Sequence, residues 1–334
     1  MVEDRLNKIE FCDIVKIDKM LKSYKDNVVV IIDHSIVKYF SYFFKENKIK
    51  YIVVANKSID TLMSVIKELV YIKADKSTVL VGMGGGQVTD LTGFVSSIYM
   101  RGLKCIYIPT TLLSMVDAAI GGKNAIEYNN IKNLLGTIRQ VDNVYICSNL
   151  LNTLNENEWN DGYIEILKIA LLRDKELLEL LCNNKDTLKN NYKLLNDIIK
   201  RAVLLKLQIV EEDEYDNGVR NMLNFGHTIG HLLELTYNLS HGEAVLTGIL
   251  YESRIARYLD LIDDKILNDT INYVSLFTKK HIEYSFDDCI KYIYLDKKNR
   301  KGVIKFTYLK AIGEGCLIDL SLEKLIELLN NKNI

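Results

Sequence analysis

Val79-Leu80-Val81-Gly82-Met83-Gly84-Gly85-Gly86-Gln87-Val88-Thr89-Asp90 decides the class of fold. A short apolar run reads as a buried strand, glycines interrupt it, and the spacing from Val88 to Tyr99 predicts a helix. Glycines at such a turn let the backbone approach a pyrophosphate, and the N-terminus of the following helix favours anions. The pattern is not a strict Gly-x-Gly-x-x-Gly, and a tight strand-to-helix turn would use the same residues. Asp90 falls in the first helical turn, where it either caps the helix or contacts a ligand.

The flanking segments repeat this alternation. Residues 27–32 are an apolar, β-branched run ending at Asp33-His34-Ser35, with helical spacing to about Asn47. Residues 51–54 form a second run, followed by a helical stretch from Ser58 to Ile72, and Cys105 to Ile108 is another run. Short buried-type strands alternating with helices predict a parallel α/β sheet. From about Asn155 the spacing becomes helical over 160–172, 175–210, 219–238, 243–260 and 264–278, with one strand-like segment from Val303 to Leu309. The Asn/Lys-rich patch at 183–196 reads as a solvated helix face or loop. The expected architecture is a Rossmann-like, parallel-sheet nucleotide domain over residues 1–154, then a mostly α-helical domain over 155–334.

Bulk properties narrow the function. The 334 residues suffice for two domains, and 48% hydrophobic content allows a sizeable core. A net charge of −1 argues against a general nucleic-acid binder. No apolar run approaches the roughly 18 residues of a membrane helix. The start, Met1-Val2-Glu3-Asp4-Arg5, is unlike a secretory signal. Six scattered cysteines without a Cys-x-x-Cys pair read as buried free thiols, and a cytoplasmic protein is expected.

Several constellations carry chemistry. Pro109, the sole proline, precedes Thr110-Thr111 at the end of a strand, where α/β sheets bind ligands. Asp117, Gly121-Gly122-Lys123 and Lys132-Asn133 follow in a segment that reads as loop-rich. The glycine pair would let an ammonium reach an anion, although either lysine alone also fits a solvated surface. Gly162 to Leu172 is an apolar helix with Glu165 and Lys168 three apart. A helical ion pair accounts for them, but charges among apolar residues are costly unless paired or metal-bound. Arg220-Asn221-Met222-Leu223-Asn224-Phe225-Gly226-His227-Thr228-Ile229-Gly230-His231, with His241-Gly242-Glu243, holds three of the five histidines. On one continuous helix, Arg220, Asn224, His227 and His231 would form a single column, with the two imidazoles as an i,i+4 chelate. Glu165 is a further ligand type for a His/His/Glu set that leaves a coordination position open.

Together these segments resemble the 3-dehydroquinate synthase family of the sugar-phosphate cyclase superfamily. The matching residues are Gly84-Gly85-Gly86 with Asp90, Arg101-Gly102, Pro109 to Leu113, Val116-Asp117, Gly121 to Lys123 and Lys132 to Gly136. They continue with Glu165 and Lys168, Lys206, Asp213-Glu214, Arg220, Leu223 to His231, and His241 to Val245. Asp296-Lys297-Lys298 and Ala311-Ile312-Gly313 resemble the closing motifs. The resemblance implies catalytic NAD, one divalent metal (zinc or cobalt), a phosphorylated sugar acid as substrate and a homodimer. The implied reaction converts 3-deoxy-D-arabino-heptulosonate 7-phosphate to 3-dehydroquinate and phosphate in the shikimate pathway.

Roles are implied residue by residue. Glu165, His227 and His241 are the metal ligands, so His231 becomes an acid/base or hydroxyl-contacting residue rather than half of a chelate. Lys123, Lys206 and Arg220 hold anionic parts of the substrate, and Lys168, Asn133, Asn224 and Asp117 position hydroxyls and carboxylate. Lys297 or Lys298 and Arg101 are further substrate contacts, Arg101 toward a partner subunit. Around the nucleotide the resemblance places Asp33, Lys57, Gly85, Gly86, Gln87 and Val88. Thr89, Asp90, Thr110, Thr111, Lys123, Lys132 and Thr153 complete that set.

The chain also departs from the family pattern. Asn124 stands where threonine usually follows the lysine, and Asp216 where glutamate is usual. Val54-Ala55-Asn56-Lys57 replaces Gly-Glu-x-x-Lys, and Ile138-Arg139-Gln140-Val141 replaces an aromatic-Tyr-Gln-Pro stretch. Competing readings are another sugar-phosphate cyclase and a metal-dependent polyol or glycerol-phosphate dehydrogenase of the same fold. The latter would lack the set Lys123, Lys168, Lys206 and Arg220.

Overall fold

The computed structural model describes residues 2–129, 131–278, 284–286, 289 and 302–331. Lys297 and Lys298 lie outside the described residues. The first part of the chain runs α1 (Val2–Leu6), β1 (Ile9–Phe11), α2 (Ile14–Ser23), β2 (Val28–Asp33), α3 (Val37–Glu46), β3 (Lys50–Val54) and α4 (Ile59–Tyr71). Next come β4 (Val79–Gly84), α5 (Gly86–Ile98), β5 (Lys104–Pro109), β6 (Lys123–Tyr128), β7 (Ile131–Ile138) and β8 (Asn143–Ile146). The later part runs α6 (Glu156–Arg173), α7 (Lys175–Asn184), α8 (Tyr192–Glu212), α9 (His227–Tyr237), α10 (His241–Tyr258), α11 (Asp264–Ser275), β9 (Val303–Ala311), β10 (Glu314–Ser321) and α12 (Leu322–Leu329).

These elements form two compact units, Met1–Trp159 with Asn191–Glu214, and Asn160–Asn190 with Tyr215–Ile334. The first unit holds the expected parallel sheet, in the order β1-β8-β5-β4-β2-β3. β2 and β4 are buried almost throughout, as central strands covered on both faces must be. One face of the sheet packs Val29, Ile31 and Leu80 against Leu62, Val65 and Leu69 of α4 and Leu91 and Val95 of α5. The segment after Asp117 is not loop-rich: β6 and β7 form an antiparallel hairpin with Lys123 opposite Ile138. Its strands pair mainly with each other and leave Leu134 and Leu135 exposed, so their apolar alternation is weak.

α8 belongs with the sheet unit, although the sequence reading placed residues 191–212 in the C-terminal domain. The helical run 175–210 divides because two side chains each start a helix. Asp174 accepts from Leu177 N ahead of α7, and Asn191 from Leu194 N ahead of α8. In the second unit, Ile229, Leu232 and Leu233 of α9 and Tyr251 and Ile255 of α10 pack with Ile304 and Phe306 of β9 and with α12. The strand-like segment from Val303 pairs with β10, a strand the sequence reading missed.

The continuous helix expected over 219–238 is broken. Val219–Asn224 is a 3-10 turn, Phe225 is extended (φ −52°, ψ 126°), and Gly226 is left-handed (φ 77°) before α9 begins at His227. Arg220 and Asn224 therefore do not share a column with His227 and His231. Packing is the cause: a Cβ at Gly226 would lie 2.6 Å from Val245 O and from Ile249 Cγ1 of α10.

Candidate active site

In the sheet unit, β2 leads to β3 on one side and β4 to β5 on the other. Open α/β sheets bind ligands at the carboxyl ends of strands flanking such a reversal. Asp33 ends β2 there, its Oδ1 accepting from Ser35 N at 2.9 Å and Ser35 Oγ at 2.7 Å. Gly84 ends β4 beside it, and a Cβ at Gly84 would lie 2.7 Å from Val88 Cγ2 and 3.1 Å from Asp33 Cβ. Gly85 is the N-cap of α5 and brings no capping side chain. A Cβ on Gly85 would press on Thr111 Cγ2 at 3.1 Å, and one on Gly86 on Ala118 at 3.1 Å. This bare backbone at a helix N-terminus fits a pyrophosphate. Thr110 N donates to Gly84 O at 3.0 Å, which ties the threonine pair to the turn. Val88 and Thr89 are buried and offer no side chain to a nucleotide, whereas Gln87 is exposed.

A charged cluster adjoins this turn. Lys57 donates to Asp90 Oδ2 at 2.6 Å and to Asn133 Oδ1, and Asn133 holds a left-handed φ of 56° on β7. Lys206 of α8 donates to both Asp117 Oδ1 and Asp117 O at 2.6 Å. Burial pushes the Asp90 carboxyl above the usual carboxylate range; Lys57 opposes this and Asp117 adds to it. Lys123 and Lys132 are exposed on the hairpin. Thr153 is exposed, with its hydroxyl donating to Leu150 O at 3.0 Å. Arg101 is not brought to this cluster: it is exposed beyond the opposite end of α5 from the glycine turn.

Two departures from the family pattern meet in the interior. Asn124 is buried, accepts from Tyr107 OH at 2.5 Å, and donates to Gly122 O at 2.9 Å and Arg139 O at 3.0 Å. Arg139 in turn donates to Ser96 O and Leu103 O, each at 2.6 Å. Gly93 makes room, since a Cβ there would lie 2.0 Å from Tyr107 Oη and 2.1 Å from Asn124 Oδ1. Asn124 and Arg139 thus anchor the hairpin that carries Lys123, Lys132 and Asn133, and Lys57 still reaches Asp90 despite the changed residues before it.

The helical unit holds the second set. Among the described residues, Glu165, His227 and His241 converge, each offering a ligand atom within 4.8 Å of the others. Glu165 Oε1 lies 3.2 Å from His241 Nε2 and 3.5 Å from His227 Nε2. Tetrahedral zinc with bonds of about 2.0–2.1 Å would separate its ligands by about 3.4 Å, so the spacing fits such an ion. His227 Nδ1 lies 3.2 Å from Phe225 O, a partner that turns Nε2 toward the centre. His231 sits one turn along α9, edge-on to His227 at 5.3 Å between centroids, outside the converging trio. Lys168 Nζ is 2.5 Å from Glu165 Oε2, with both side chains buried. Burial pushes the His241 imidazole down, but hydrogen bonding and charge from Glu165 outweigh it, with Glu234 and Asp161 adding to them, and the net shift is upward. Arg220 is buried and Asn224 half-buried, both in the 3-10 turn before α9.

Glycines bring the two histidine-bearing helix ends together. A Cβ at Gly248 would lie 1.9 Å from Gly226 O, one at Gly230 2.7 Å from Ala244 O, and one at Gly242 2.5 Å from Ile164 Cδ1. Two carboxylates that the sequence reading missed complete the frame. Asp161 Oδ1 accepts from Gly242 N at 2.8 Å, and Glu252 accepts from Gly226 N, Thr228 N and Ile229 N at 2.8, 3.1 and 3.2 Å. Asp161, one turn before Glu165 on α6, carried a legible signal; Glu252 carried only its charge within an apolar stretch.

The family model for the 3-dehydroquinate synthase N-terminal region matches residues 53–161, and that for the C-terminal region matches 162–299. The 3-dehydroquinate synthase of Saccharolobus solfataricus is 38% identical over 279 residues, covering 80% of this chain and 79% of that protein. The one from Dictyoglomus thermophilum is 36% identical over 330 residues, covering 93% and 91%. The fold is shared with 2-epi-5-epi-valiolone synthase from Streptomyces hygroscopicus subsp. jinggangensis 5008, at a TM-score of 0.82 and 22% identity over 96% of this chain and 95% of that one. It is shared also with 2-deoxy-scyllo-inosose synthase, at 0.80 and 21% over the same shares. Family models that meet between residues 161 and 162, and relatives this similar over most of both lengths, place the chain in the 3-dehydroquinate synthase family.

Proposed function

We propose that this chain converts 3-deoxy-D-arabino-heptulosonate 7-phosphate to 3-dehydroquinate and phosphate, as a phosphate-eliminating carbon–oxygen lyase using catalytic NAD and one divalent metal. One observation carries the reading: in a chain of this family, the converging Glu165, His227 and His241 occur with three buried cations, Lys168, Lys206 and Arg220. A polyol dehydrogenase has no doubly anionic substrate to neutralise. The related valiolone synthase was solved with NAD+ and Zn2+, and the inosose synthase with carbaglucose-6-phosphate, NAD+ and Co2+. We assign the same two kinds of cofactor here, zinc or cobalt being the metal.

A secondary hydroxyl of the substrate is oxidised, the neighbouring C–H becomes acidic, and phosphate leaves by β-elimination. The ketone is then reduced again, the ring opens, and an intramolecular aldol step closes the carbocycle. Bound NAD would supply the reversible hydride acceptor, and the bound metal a Lewis acid that lowers the hydroxyl pKa. Glu165, His227 and His241 hold the metal, and Lys168 beside Glu165 contacts the hydroxyl to be oxidised. Arg220 pairs with the substrate carboxylate, for which a guanidinium is the matching fork. Lys123 and Lys206 take the phosphate, with Asp117 orienting Lys206, while Asn133 and Asn224 orient hydroxyls. His231 moves a proton at the substrate. Gly85, Gly86, Gln87, Val88 and Thr89 at the turn would hold the nucleotide, together with Asp33, Lys57, Asp90, Thr110, Thr111, Lys132 and Thr153. The protein acts as a cytoplasmic homodimer in which Arg101 serves the partner subunit.

The test separates this substrate from those of other cyclases. Steady-state rates are measured with heptulosonate 7-phosphate and with sedoheptulose 7-phosphate, which lacks the carboxylate. Lacking the carboxylate that the Arg220 guanidinium recognises, the second substrate loses about 10²-fold or more in kcat/KM. Equal rates would refute the assignment.

A further inference from the structure

We infer that Glu252 is a positioning residue for the metal centre, holding His227 from outside its own helix. The inference rests on the reading of Glu165, His227 and His241 as metal ligands. Glu252 lies on α10, eleven residues beyond His241, and its side chain is fully buried. Oε2 accepts from Gly226 N at 2.8 Å, and Oε1 accepts from Thr228 N at 3.1 Å and Ile229 N at 3.2 Å.

These donors lie on both sides of His227. α9 starts at His227 behind a left-handed glycine that has no side chain with which to cap it. The first-turn N–H groups of a helix need an acceptor, and Glu252 supplies one across the interface between two helices. A carboxylate is the suited acceptor, because the helix N-terminus is electropositive and charge-assisted bonds are short and strong. Fixing the amides of residues 226 and 228 fixes the Cα–Cβ direction of His227. The contact of Nδ1 with Phe225 O then sets the ring's rotation, which leaves Nε2 aimed at Glu165.

A glutamine at this position is isosteric, but its amide group presents donors to backbone donors and cannot replace both carboxylate oxygens. The loss therefore falls on the direction of His227 rather than on the ligand set. Partners one layer behind a ligand change metal affinity by about 10–100-fold.

The test measures Zn2+ affinity by competition with a chromophoric chelator for the wild type, Glu252→Gln, His227→Ala and Asp263→Ala. Asp263 caps α11 through Ile266 N at 2.8 Å and controls for the loss of a helix cap elsewhere in the same unit. The expected result is a Zn2+ Kd raised about 10–100-fold in Glu252→Gln, abolished binding in His227→Ala, and wild-type affinity in Asp263→Ala. A wild-type Kd in Glu252→Gln, or equal weakening in Asp263→Ala, overturns the inference and leaves the ligand set standing. Absence of Zn2+ binding by the wild type, or unchanged binding by His227→Ala, overturns both. If Glu252→Gln does not fold, Glu252→Asp replaces it: a Kd raised severalfold supports the inference, and a wild-type Kd overturns it.

Discussion

Glu165 shows how much chemistry one residue concentrates. Its carboxylate is buried in the apolar helix α6, with Lys168 on one oxygen and two imidazoles on the other. A buried carboxylate needs such partners, because desolvation alone costs several kcal/mol. The same contact raises the His241 pKa above the ordinary imidazole value of 6.5. Metal binding requires the neutral ring, so protons and zinc compete for it. Zn2+ affinity should therefore fall with decreasing pH through a pKa above 6.5, where an unperturbed imidazole would hold it level to lower pH. Chelator-competition titrations between about pH 8.5 and 5.5 check this; a constant Kd down to 6.5 would contradict it. Without zinc the sign reverses. A raised folded pKa gives stability present below the unfolded value and lost as pH rises through the folded one.

At the scale of elements, glycines rather than side-chain contacts set the approach of α9 to α10. Gly248 faces Gly226 O so closely that a Cβ would lie 1.9 Å away, against backbone that has no rotamer to move. Gly248→Ala should lower stability by about 1–3 kcal/mol or more through overpacking and weaken Zn2+ binding, since His227 starts α9 at this contact and His241 starts the helix that carries Gly248. Denaturant melts and zinc titrations measure the two effects; stability within about 0.5 kcal/mol of the wild type would show that the helices separate freely. The strand-glycine-helix turn and the helical spacing of α4, α5, α6 and α10 were legible because local pattern determines them. The hairpin β6–β7 was not, because residues distant in sequence hold it, Tyr107 through Asn124 and Ser96 and Leu103 through Arg139. The false column from Arg220 to His231 arose from reading through Gly226, whose left-handed backbone ends one element before the next begins. A glycine beside a histidine was a visible warning, but its cause, the close approach of Val245 and Ile249, is tertiary.

For the whole molecule, sequence carried the function further than it carried the fold's details. The residues of the proposed site were named from motif order, and the trio Glu165, His227 and His241 converges in the structure. Asp161 was legible by its spacing from Glu165 but was not picked out, and what the sequence did not disclose is Glu252, whose partners are backbone N–H groups that no side-chain motif records. The division of residues was also hidden. Lys206 pairs with Asp117 in the sheet unit, whereas Lys168, Arg220 and the trio belong to the helical unit. The proposed reaction is a redox-neutral phosphate elimination that closes a carbocycle. Purified protein, loaded with NAD and zinc, should release phosphate and 3-dehydroquinate in equal amounts from 3-deoxy-D-arabino-heptulosonate 7-phosphate, with no net NADH. Absence of product from the metal-loaded protein, or NADH accumulating in step with substrate consumption, would contradict it.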